Sequence, residues 1–338
     1  MPRAPRVEYE GAFYHIMCRG DRREPIFLSE EDKQLFLKTL GQGCERAGLV
    51  VDAFALMTNH YHLLLETPAG NLVAGMRWFQ TTYTARFNAR HRLSGHLFQG
   101  RYKALLIDPE EPDYGRQAAD YIHLNPVRAG LVKTECELAH HPWSSCRFYA
   151  MGGERPGWLR IARIYGDHGL RPERARDRRR FRSYMAGRIA QEVEGLGAPG
   201  GQESAWGQIR KGWVLGGEVF RERMEEMVSG VVSKAKRESF SGAEVRRHDR
   251  AQAELLLARG LASLGLGIEE VRAMKKNDVR KQGIAWLLKG RSVIGNEWIC
   301  RTLRMGDRSN VNRAQVRFEL GGESATKRIR RTLQQCAD

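Results

Sequence analysis

The sequence predicts an α+β protein whose first part is a ferredoxin-like domain, an antiparallel sheet with helices on one face. Short runs rich in β-branched and aromatic residues predict strands, and stretches with helical spacing of apolar residues separate them. Together they follow the order β-α-β-β-α-β, which is the order of the ferredoxin-like arrangement. The predicted strands are residues 11–19, 49–57, 60–66 and 100–107.

The predicted helices are recognised by their first turn and by their apolar stripes. Residues 29–48 begin with Ser29, a good N-cap that acidic residues follow, and residues 70–90 and 113–132 are the next helical stretches. The stripe of the first helix is Leu35, Leu37, Leu40 and Cys44, and that of the second is Leu72, Met76, Phe79, Tyr83 and Phe87.

The composition changes after residue 150, where the chain becomes rich in glycine and arginine. We therefore expect residues 1–150 to form the sheet domain, residues 151–269 a basic helical middle region with a linker, and residues 270–338 a separate C-terminal domain with a basic tail. Within the middle region we expect a solvated helix face at 174–182, a loop or linker at 195–204, and helices at 218–230 and 243–264.

The charge balance indicates a polyanionic partner. Lys and Arg total 56 against 40 Asp and Glu, a net charge of +16 that favours nucleic acid and disfavours a neutral metabolite. A merely soluble basic protein remains an alternative, since charge says nothing of a site. The six cysteines include no C-x-x-C pair, so we expect reduced thiols rather than a zinc knuckle or disulfides. The sequence has no stretch of 18 apolar residues, so we expect a cytoplasmic protein that contacts no membrane. With nucleic acid as its partner, we expect it to be associated with the nucleoid, as a monomer or a homodimer.

His60 and His62 lie two residues apart in the third predicted strand. Because side chains alternate along a strand, both imidazoles project from one face, where they could share a metal ion. Tyr61, Leu63 and Leu65 would face the helices and leave the histidine face open. On the strand pattern alone, two half-exposed histidines that bind nothing remain the alternative.

A second motif spans residues 116–132, RQAADYIHLNPVRAGLV. Tyr121 and Asn125 are four residues apart in it and so lie on one face of a helix. A nucleophile and a further metal ligand could therefore stand side by side.

The segments NHYHLLLE (59–66) and YIHLNPVRAGLV (121–132) closely resemble the HUH-type single-tyrosine transposases, in particular the REP-associated tyrosine transposases of bacteria. The runs at 14–27 and 96–108 are similar to the same family, so the resemblance covers about residues 5–150.

The resemblance implies a ferredoxin-like nuclease domain in which His60, His62 and the amide oxygen of Asn125 hold a metal and Tyr121 is the nucleophile. Two nitrogens and an amide oxygen suit Mg²⁺ or Mn²⁺ with open water positions. Attack by the tyrosine would give a 5′-phosphotyrosine and a free 3′-OH, and a second 3′-OH could reverse the step and join new ends without ATP. The expected substrate is single-stranded or hairpin (REP-like) DNA.

Two alternatives concern individual residues of these motifs. Asn125 precedes Pro126, a pair that also suits the start of a helix at 126–132, where the Asn side chain would be a cap instead of a ligand. The rival nucleophiles lie outside the matching motif and are more simply explained as core or base-stacking aromatics; they are Tyr114, Tyr102 and Tyr83.

Basic residues near the two motifs are candidates for phosphate contacts, which position DNA without selecting its sequence. They are Arg19, Arg22 and Arg23 after the first strand, Arg101 and Lys103 on the fourth, and Arg128 after the tyrosine. Solvated surface arginines are the alternative for part of this set.

Residues 277–320 predict three helices separated by Gly290 and by residues 305–307, which is typical of a helix-turn-helix. The segment resembles the C-terminal duplex-binding domain of the initiator protein DnaA, and this implies duplex DNA as a second partner. The last helix, which starts near Ser309, would present base-contacting side chains at Asn310, Asn312, Arg313 and Arg317. A three-helix core with solvated polar residues is the alternative.

Three functions follow from these motifs. The first is a transposase-like, metal-dependent endonuclease and strand transferase, and the second is a catalytically silent regulator that binds hairpin DNA or RNA. The third is a metal hydrolase that activates water and leaves Tyr121 idle. A pure binding protein has no chemical need for His60, His62 and Tyr121 together, so the motifs favour the first.

Overall fold

The computed structural model describes residues 7–196, 206–207, 209, 212–232, 243–321 and 323–335. The chain divides near residue 240 into two compact units, and each is described separately below. The linker expected at 195–204 lies almost entirely outside the described residues.

The first unit is built on a five-stranded sheet. The strands are β1 (Ala12–Arg19), β2 (Val50–Leu56), β3 (His60–Thr67), β4 (Lys103–Ile107) and β5 (Val214–Leu215), in the order β2-β3-β1-β4-β5. The first four pair antiparallel, and β5 adds to β4 in the parallel direction. The predicted β-α-β-β-α-β order is confirmed, while the parallel fifth strand was not expected.

The described helices of this unit follow the strands along the chain. They are α1 (Glu30–Ala47), α2 (Leu72–His91), α3 (Pro112–His123), α4 (Asn125–Arg128), α5 (Glu135–His140), α6 (Cys146–Ala150), α7 (Ala162–Asp167), α8 (Ala175–Leu196) and α9 (Glu218–Val232).

Helices α1 and α2 cover one face of the sheet with an aromatic core. The Phe36 ring of α1 lies 4.9 Å, centroid to centroid, from both Tyr61 of β3 and Phe79 of α2. Ser29 is the N-cap of α1, as predicted, and its amide donates to Asp32 Oδ2 at 3.1 Å. The expected stripe of α1 needs one correction, since Phe36 is fully buried while Leu35 and Leu37 are only half-buried. All five predicted core positions of α2 are buried.

Helices also lie on the opposite face, which corrects the expectation of a one-sided sheet. Helix α3 packs against β2 and β3 there, and His62 is only 1% exposed. The strand pattern shows which face carries the histidines, but a helix that arrives 50 residues later along the chain leaves no mark on that pattern. The histidine face is therefore covered and not open.

The stretch predicted as one helix at 113–132 is broken. Helix α3 ends at His123 and α4 begins at Asn125, with Leu124 between them. Pro126 has no amide hydrogen for the carbonyl of Ile122, so the regular helix cannot continue through this position.

The second unit is an all-helical bundle. Its described helices are α10 (Ala243–Ser263), α11 (Ile268–Ala273), α12 (Val279–Arg291), α13 (Asn296–Leu303), α14 (Arg308–Leu320) and α15 (Ser324–Gln335). The core is formed by side chains such as Ile284, Leu288, Ile299 and Phe318, and α12 and α15 approach so closely that a Cβ on Gly283 would lie 2.7 Å from Ile329. The three helices predicted within 277–320 correspond to α12, α13 and α14.

The predicted domain limits differ from the limits of the compact units. Leu257 of α10 lies in the C-terminal core, although the expected boundary stood at residue 270. The division at residues 150 and 270 concerns functional regions and remains a proposal. Among the described cysteines, four are buried free thiols and Cys136 is an exposed one. In the described part of the chain, no helix combines the length and the hydropathy that a membrane span requires.

Candidate active site

One cavity of about 400 Å³ opens on the histidine face of the sheet. The register places His62 of β3 and Lys103 of β4 on either side of Met17 of β1, so these side chains share a face. The strand residues that line the cavity alternate along all three strands; they are His15, Met17 and Arg19 on β1, His60 and His62 on β3, and Lys103 and Leu105 on β4.

The other wall of the cavity comes from α3 and α4, which supply Tyr121, Asn125 and Arg128. The Tyr121 ring lies 5.7 Å from the ring of His62 and 5.4 Å from the ring of His15, measured between centroids. Tyr121 is 7% exposed, and its hydroxyl makes no hydrogen bond to any residue that the structure describes. The structure thus brings the four predicted catalytic and metal-binding residues to one cavity.

Both predicted histidine ligands use only one ring nitrogen within the protein. His62 Nδ1 lies 2.9 Å from Nε2 of His15, and His60 Nδ1 lies 2.8 Å from Oδ1 of Asn59. Burial lowers the pKa of His60 to about 4 and of His15 to about 3, and it holds the pKa of His62 well below its usual value. All three imidazoles are therefore neutral at pH 7, which is the form that binds a metal.

Asn125 is turned so that its amide nitrogen is used inside the helix. Nδ2 donates to the carbonyl of Tyr121 at 2.8 Å and to that of Ile122 at 3.4 Å, in place of the donor that Pro126 lacks. The N-cap position of α4 belongs to Leu124, with no side-chain cap hydrogen bond, so the capping alternative is wrong. The amide oxygen of Asn125 has no hydrogen-bond donor among the described residues.

These donors fit a divalent cation, with two neutral imidazoles and one amide oxygen around a cavity that can admit water and phosphate. Among the described residues, no group of three or more His, Cys, Asp or Glu side chains is placed to hold a metal. A metal site here would consequently need Asn125 in addition to the two histidines.

Tyr121 is held between cationic and aromatic groups. The guanidinium carbon of Arg128 lies 4.2 Å from the centre of the Tyr121 ring, and the Trp206 ring lies 5.4 Å away. Arg128 donates to Glu192 at 3.1 Å and also to the carbonyl of Tyr121, and Trp206 Nε1 donates to the second oxygen of Glu192 at 3.1 Å. The Arg128 side chain is 8% exposed, so this residue stands in a buried ion pair and is less available to DNA than we expected.

The other basic residues of the first unit occupy different environments. Arg19 lines the cavity, and its Nε is buried without a hydrogen-bond partner among the described residues. Lys103 lines it too, and its Nζ donates to the carbonyl of Ile209 at 3.2 Å. Arg22 and Arg23 are exposed in a turn with positive φ angles of 49° and 65°. Arg101 is exposed and precedes β4 rather than lying on it.

The rival tyrosines do not line this cavity. Tyr83 is fully buried in the α1–α2 core, where its hydroxyl donates to the carbonyl of Ile26 at 2.7 Å. Tyr102 is buried and Tyr114 is half-buried. Of the tyrosines that the structure describes, Tyr121 is the one that lines the cavity.

In the second unit, the predicted base-contacting residues lie on α14 with unequal freedom. Arg313 and Asn312 are exposed, although Asn312 accepts a hydrogen bond from Asn296 at 2.9 Å. Asn310 donates to the carbonyl of Met305 at 2.8 Å, and Arg317 is held by Gln282 at 2.8 Å and Glu323 at 2.6 Å. The helix-turn-helix role of these residues remains a prediction.

Four residues of the site were missed in the sequence analysis: His15, Asn59, Glu192 and Trp206. His15 had a usable signal, because it alternates with Met17 and Arg19 in the run YHIMCR, and Asn59 directly precedes His60. Glu192 and Trp206 gave none, since each is brought to Tyr121 only by the tertiary fold.

Comparison with known proteins gives a family match over part of the chain. Residues 8–124 match the family described as "Transposase IS200 like". Among solved structures, the chain is similar to the protein in "Structure of the REP associates tyrosine transposase bound to a REP hairpin". The identity is 20% and the TM-score is 0.38, and the similarity covers 48% of this chain and 93% of that one. No curated protein matches. The matched segment contains the motifs around His60, His62 and Tyr121 and ends one residue before Asn125.

Proposed function

We propose that the protein is a metal-dependent, single-tyrosine endonuclease and strand transferase that nicks and rejoins single-stranded or hairpin DNA. The observation that carries this proposal is the cavity that collects Tyr121, His60, His62 and Asn125 beneath one opening. The family match over residues 8–124 supports the transposase class, and the net charge of +16 supports a DNA partner.

The side chains around the cavity have three different proposed roles: attracting the phosphate, binding the metal and orienting the tyrosine. Arg19, whose buried Nε has no partner among the described residues, and Lys103 give the opening a positive potential that favours a phosphate. His60, His62 and Asn125 would hold Mg²⁺ or Mn²⁺, and a bound divalent cation supplies charge neutralisation at the scissile phosphate. The contacts of Arg128 and Trp206 restrict the orientation of the Tyr121 ring, which lines the cavity.

The reaction is a transesterification that conserves the number of phosphodiester bonds. The Tyr121 oxygen forms a bond to the phosphorus and loses its proton to solvent, while the bond from phosphorus to the 3′ oxygen breaks and that oxygen takes up a proton. The products are a 5′-phosphotyrosine and a free 3′-OH. Attack by another 3′-OH reverses these changes, joins new ends and regenerates the tyrosine without an energy source.

The test is incubation of the full chain with labelled hairpin oligonucleotides and Mn²⁺, followed by denaturing electrophoresis. We expect the wild-type protein to leave a covalent adduct that maps to Tyr121 by peptide mass spectrometry, with an extendable 3′-OH on the released strand. Tyr121→Phe should lose cleavage and adduct together, because it removes one oxygen and keeps the ring. Tyr114→Phe, at a half-buried tyrosine outside the cavity, should behave as wild type.

Other outcomes identify other functions. Cleavage without an adduct would indicate a hydrolase that uses activated water, and hairpin binding without cleavage in any metal would indicate a silent regulator. An adduct that survives in Tyr121→Phe would move the nucleophile to another tyrosine, and a 3′-linked adduct would contradict the mechanism.

The second unit is proposed to bind the duplex next to the hairpin through α14. Its exposed Arg313 is suited to a guanine edge or a phosphate. Because α10 contributes Leu257 to the C-terminal core, a truncation that tests this role should end near residue 240 rather than 270. The truncated chain should still nick a bare hairpin oligonucleotide and should bind duplex-flanked hairpins more weakly.

A further inference from the structure

The two histidines proposed as ligands lie with their ring centroids 5.1 Å apart, and each has a hydrogen-bonding partner on Nδ1. For His60 the partner is the Asn59 side chain, and for His62 it is His15. A neutral imidazole carries one proton on either Nδ1 or Nε2, and only the nitrogen without the proton can bind a metal. What accepts or donates at Nδ1 therefore decides whether Nε2 can be a ligand.

At His60 the hydrogen bonds of Asn59 determine which ring nitrogen carries the proton. Asn59 Nδ2 donates to the carbonyl of Arg23 at 2.8 Å, so the opposite atom of that amide, which lies 2.8 Å from His60 Nδ1, is the oxygen. An amide oxygen only accepts hydrogen bonds. The proton of His60 must then be on Nδ1, which leaves the lone pair on Nε2.

At His62 the partner can act in either sense. If His62 Nδ1 donates to His15 Nε2, the Nε2 of His62 carries a lone pair and is free for a metal. If His15 donates instead, His62 carries its proton on Nε2 and cannot bind a metal there. His15 is 4% exposed and His62 1% exposed, so this hydrogen bond lies in a largely desolvated environment, where it is stronger than in water.

We infer that Asn59 and His15 are positioning residues that set the tautomers of His60 and His62 so that both present Nε2 to one divalent cation. This inference rests on the proposed function. Neither residue would touch the metal, and Asn59 lies in the loop before β3 while His15 lies on β1. Partners of this kind typically strengthen metal binding about 10- to 100-fold.

The experiment is Mn²⁺ binding to the full chain without DNA, by calorimetry or by electron paramagnetic resonance of free Mn²⁺. We expect His15→Phe to weaken Mn²⁺ binding by roughly 10- to 100-fold, since phenylalanine fills the space but cannot accept the proton of His62. His15→Gln, whose side-chain oxygen can accept that proton, should restore binding to within a few-fold of wild type. Asn59→Leu should weaken binding and Asn59→Asp, which keeps an acceptor oxygen, should not.

A matched control is His123→Phe. His123 is also buried, at 1% exposure, and is hydrogen-bonded to Ser145 Oγ at 2.9 Å, but it does not line the cavity. Its loss should change stability and leave Mn²⁺ affinity within a few-fold of wild type. Long-range ¹⁵N–¹H spectra of the imidazoles provide a second measurement, in which His62 should show a protonated Nδ1 in the wild type bound to a diamagnetic divalent ion and in His15→Gln.

The outcomes separate this inference from the proposed function. If the wild type binds Mn²⁺ no better than His62→Ala, the metal site itself is wrong. If the wild type binds Mn²⁺ through His62 but His15→Phe and Asn59→Leu bind it equally well, the metal site stands and the positioning role is wrong. Equal losses in His15→Phe and His15→Gln would also overturn it, because they would reduce His15 to a packing residue.

Discussion

The two faces of the sheet are made from the same strands yet have opposite character. Tyr61 packs into an aromatic core with Phe36 and Phe79, while its neighbour His62 faces a cavity with Tyr121. The first face buries phenylalanine rings and tyrosines whose hydroxyls need one partner each, such as Tyr61 with Gln80 at 2.9 Å, and the second buries imidazoles and an ion pair. One residue of difference along β3 thus separates the part that stabilises the unit from the part proposed to do its chemistry.

This contrast teaches where polar burial is informative. Apolar strand side chains on the α1–α2 face, such as Leu63 and Leu65, could be exchanged for others of similar size with a modest effect. On the histidine face, Arg128 and Glu192 are 8% and 5% exposed and would each be a costly buried charge without the other. A buried ion pair commonly stabilises a protein less than apolar side chains of the same volume would. Its presence on the histidine face therefore indicates a site of function.

The largest effect that distinguishes the two faces is expected from the single substitutions His62→Ala and His60→Ala. We expect either substitution to reduce strand cleavage by more than about 1000-fold, the scale of several kcal/mol of transition-state charge stabilisation. Hairpin affinity should change little because it comes chiefly from phosphate contacts. Single-turnover cleavage and filter binding measure the two effects, and full activity in EDTA would contradict the metal dependence.

The converse test is Phe36→Ala on the other face. Removal of a fully buried ring should lower the free energy of unfolding of the first unit by about 3–5 kcal/mol. Cleavage at a temperature well below the melting transition should stay near the wild-type rate. Urea unfolding and cleavage assays together decide the matter; a Phe36→Ala protein that folds normally but cannot cleave would show that the two faces are not separable.

A buried histidine outside the cavity should make the first unit sensitive to acid. Burial lowers the pKa of His123 to about 3, so this residue is neutral in the folded protein and takes up a proton more readily when unfolded. Its contribution is fully present above pH 6.5 and is lost as the pH falls from 6.5 toward 3, by about 2 kcal/mol at pH 5. His123→Phe should reduce the difference in unfolding free energy between pH 7 and pH 5 by about that amount. The exposed His96, changed to Gln, is the control and should leave the difference as it was.

The smallest effect is expected in the second unit, at Arg313→Ala. An exposed arginine that contacts a phosphate should lower the salt dependence of duplex binding by about one ion and weaken affinity by less than about tenfold. Nicking of a bare hairpin oligonucleotide should be unchanged. Titration of a labelled duplex at several salt concentrations measures this, and an unchanged affinity would remove Arg313 from the proposed DNA surface.

Much of the site could be predicted because it depends on local periodicity. Alternation along β3 sets His60 and His62 on one face. The four-residue spacing of Tyr121 and Asn125 sets both toward the cavity, although the helix is interrupted at Leu124 between them. The contribution of His15 could not be fixed in the same way, because it needs the register that puts Met17 opposite His62. A strand sequence contains its own alternation but not its alignment with a neighbour.

Other parts depend on contacts between distant segments. Arg128 could be assigned to DNA from its charge alone, whereas its partner Glu192 comes from α8, 64 residues later. The break between α3 and α4 was foreseeable at Pro126, but the use of the Asn125 amide to replace the missing donor was not. The boundary near residue 240 was missed because α10 has the same helical spacing whichever unit its apolar side packs into.

The edge strands of the sheet affect how the chain can fold during its synthesis. The outer side of β2 is bridged by Ser144 and Leu159, and the outer side of β4 is covered by β5 at residues 214–215. A nascent chain that has emerged only as far as residue 150 already contains the whole family-matched segment, yet β4 still offers unpaired amides and carbonyls to any neighbouring strand. We therefore expect a protein shortened to residues 1–150 to self-associate, and translation past residue 215 to be the event that makes the first unit safe from aggregation.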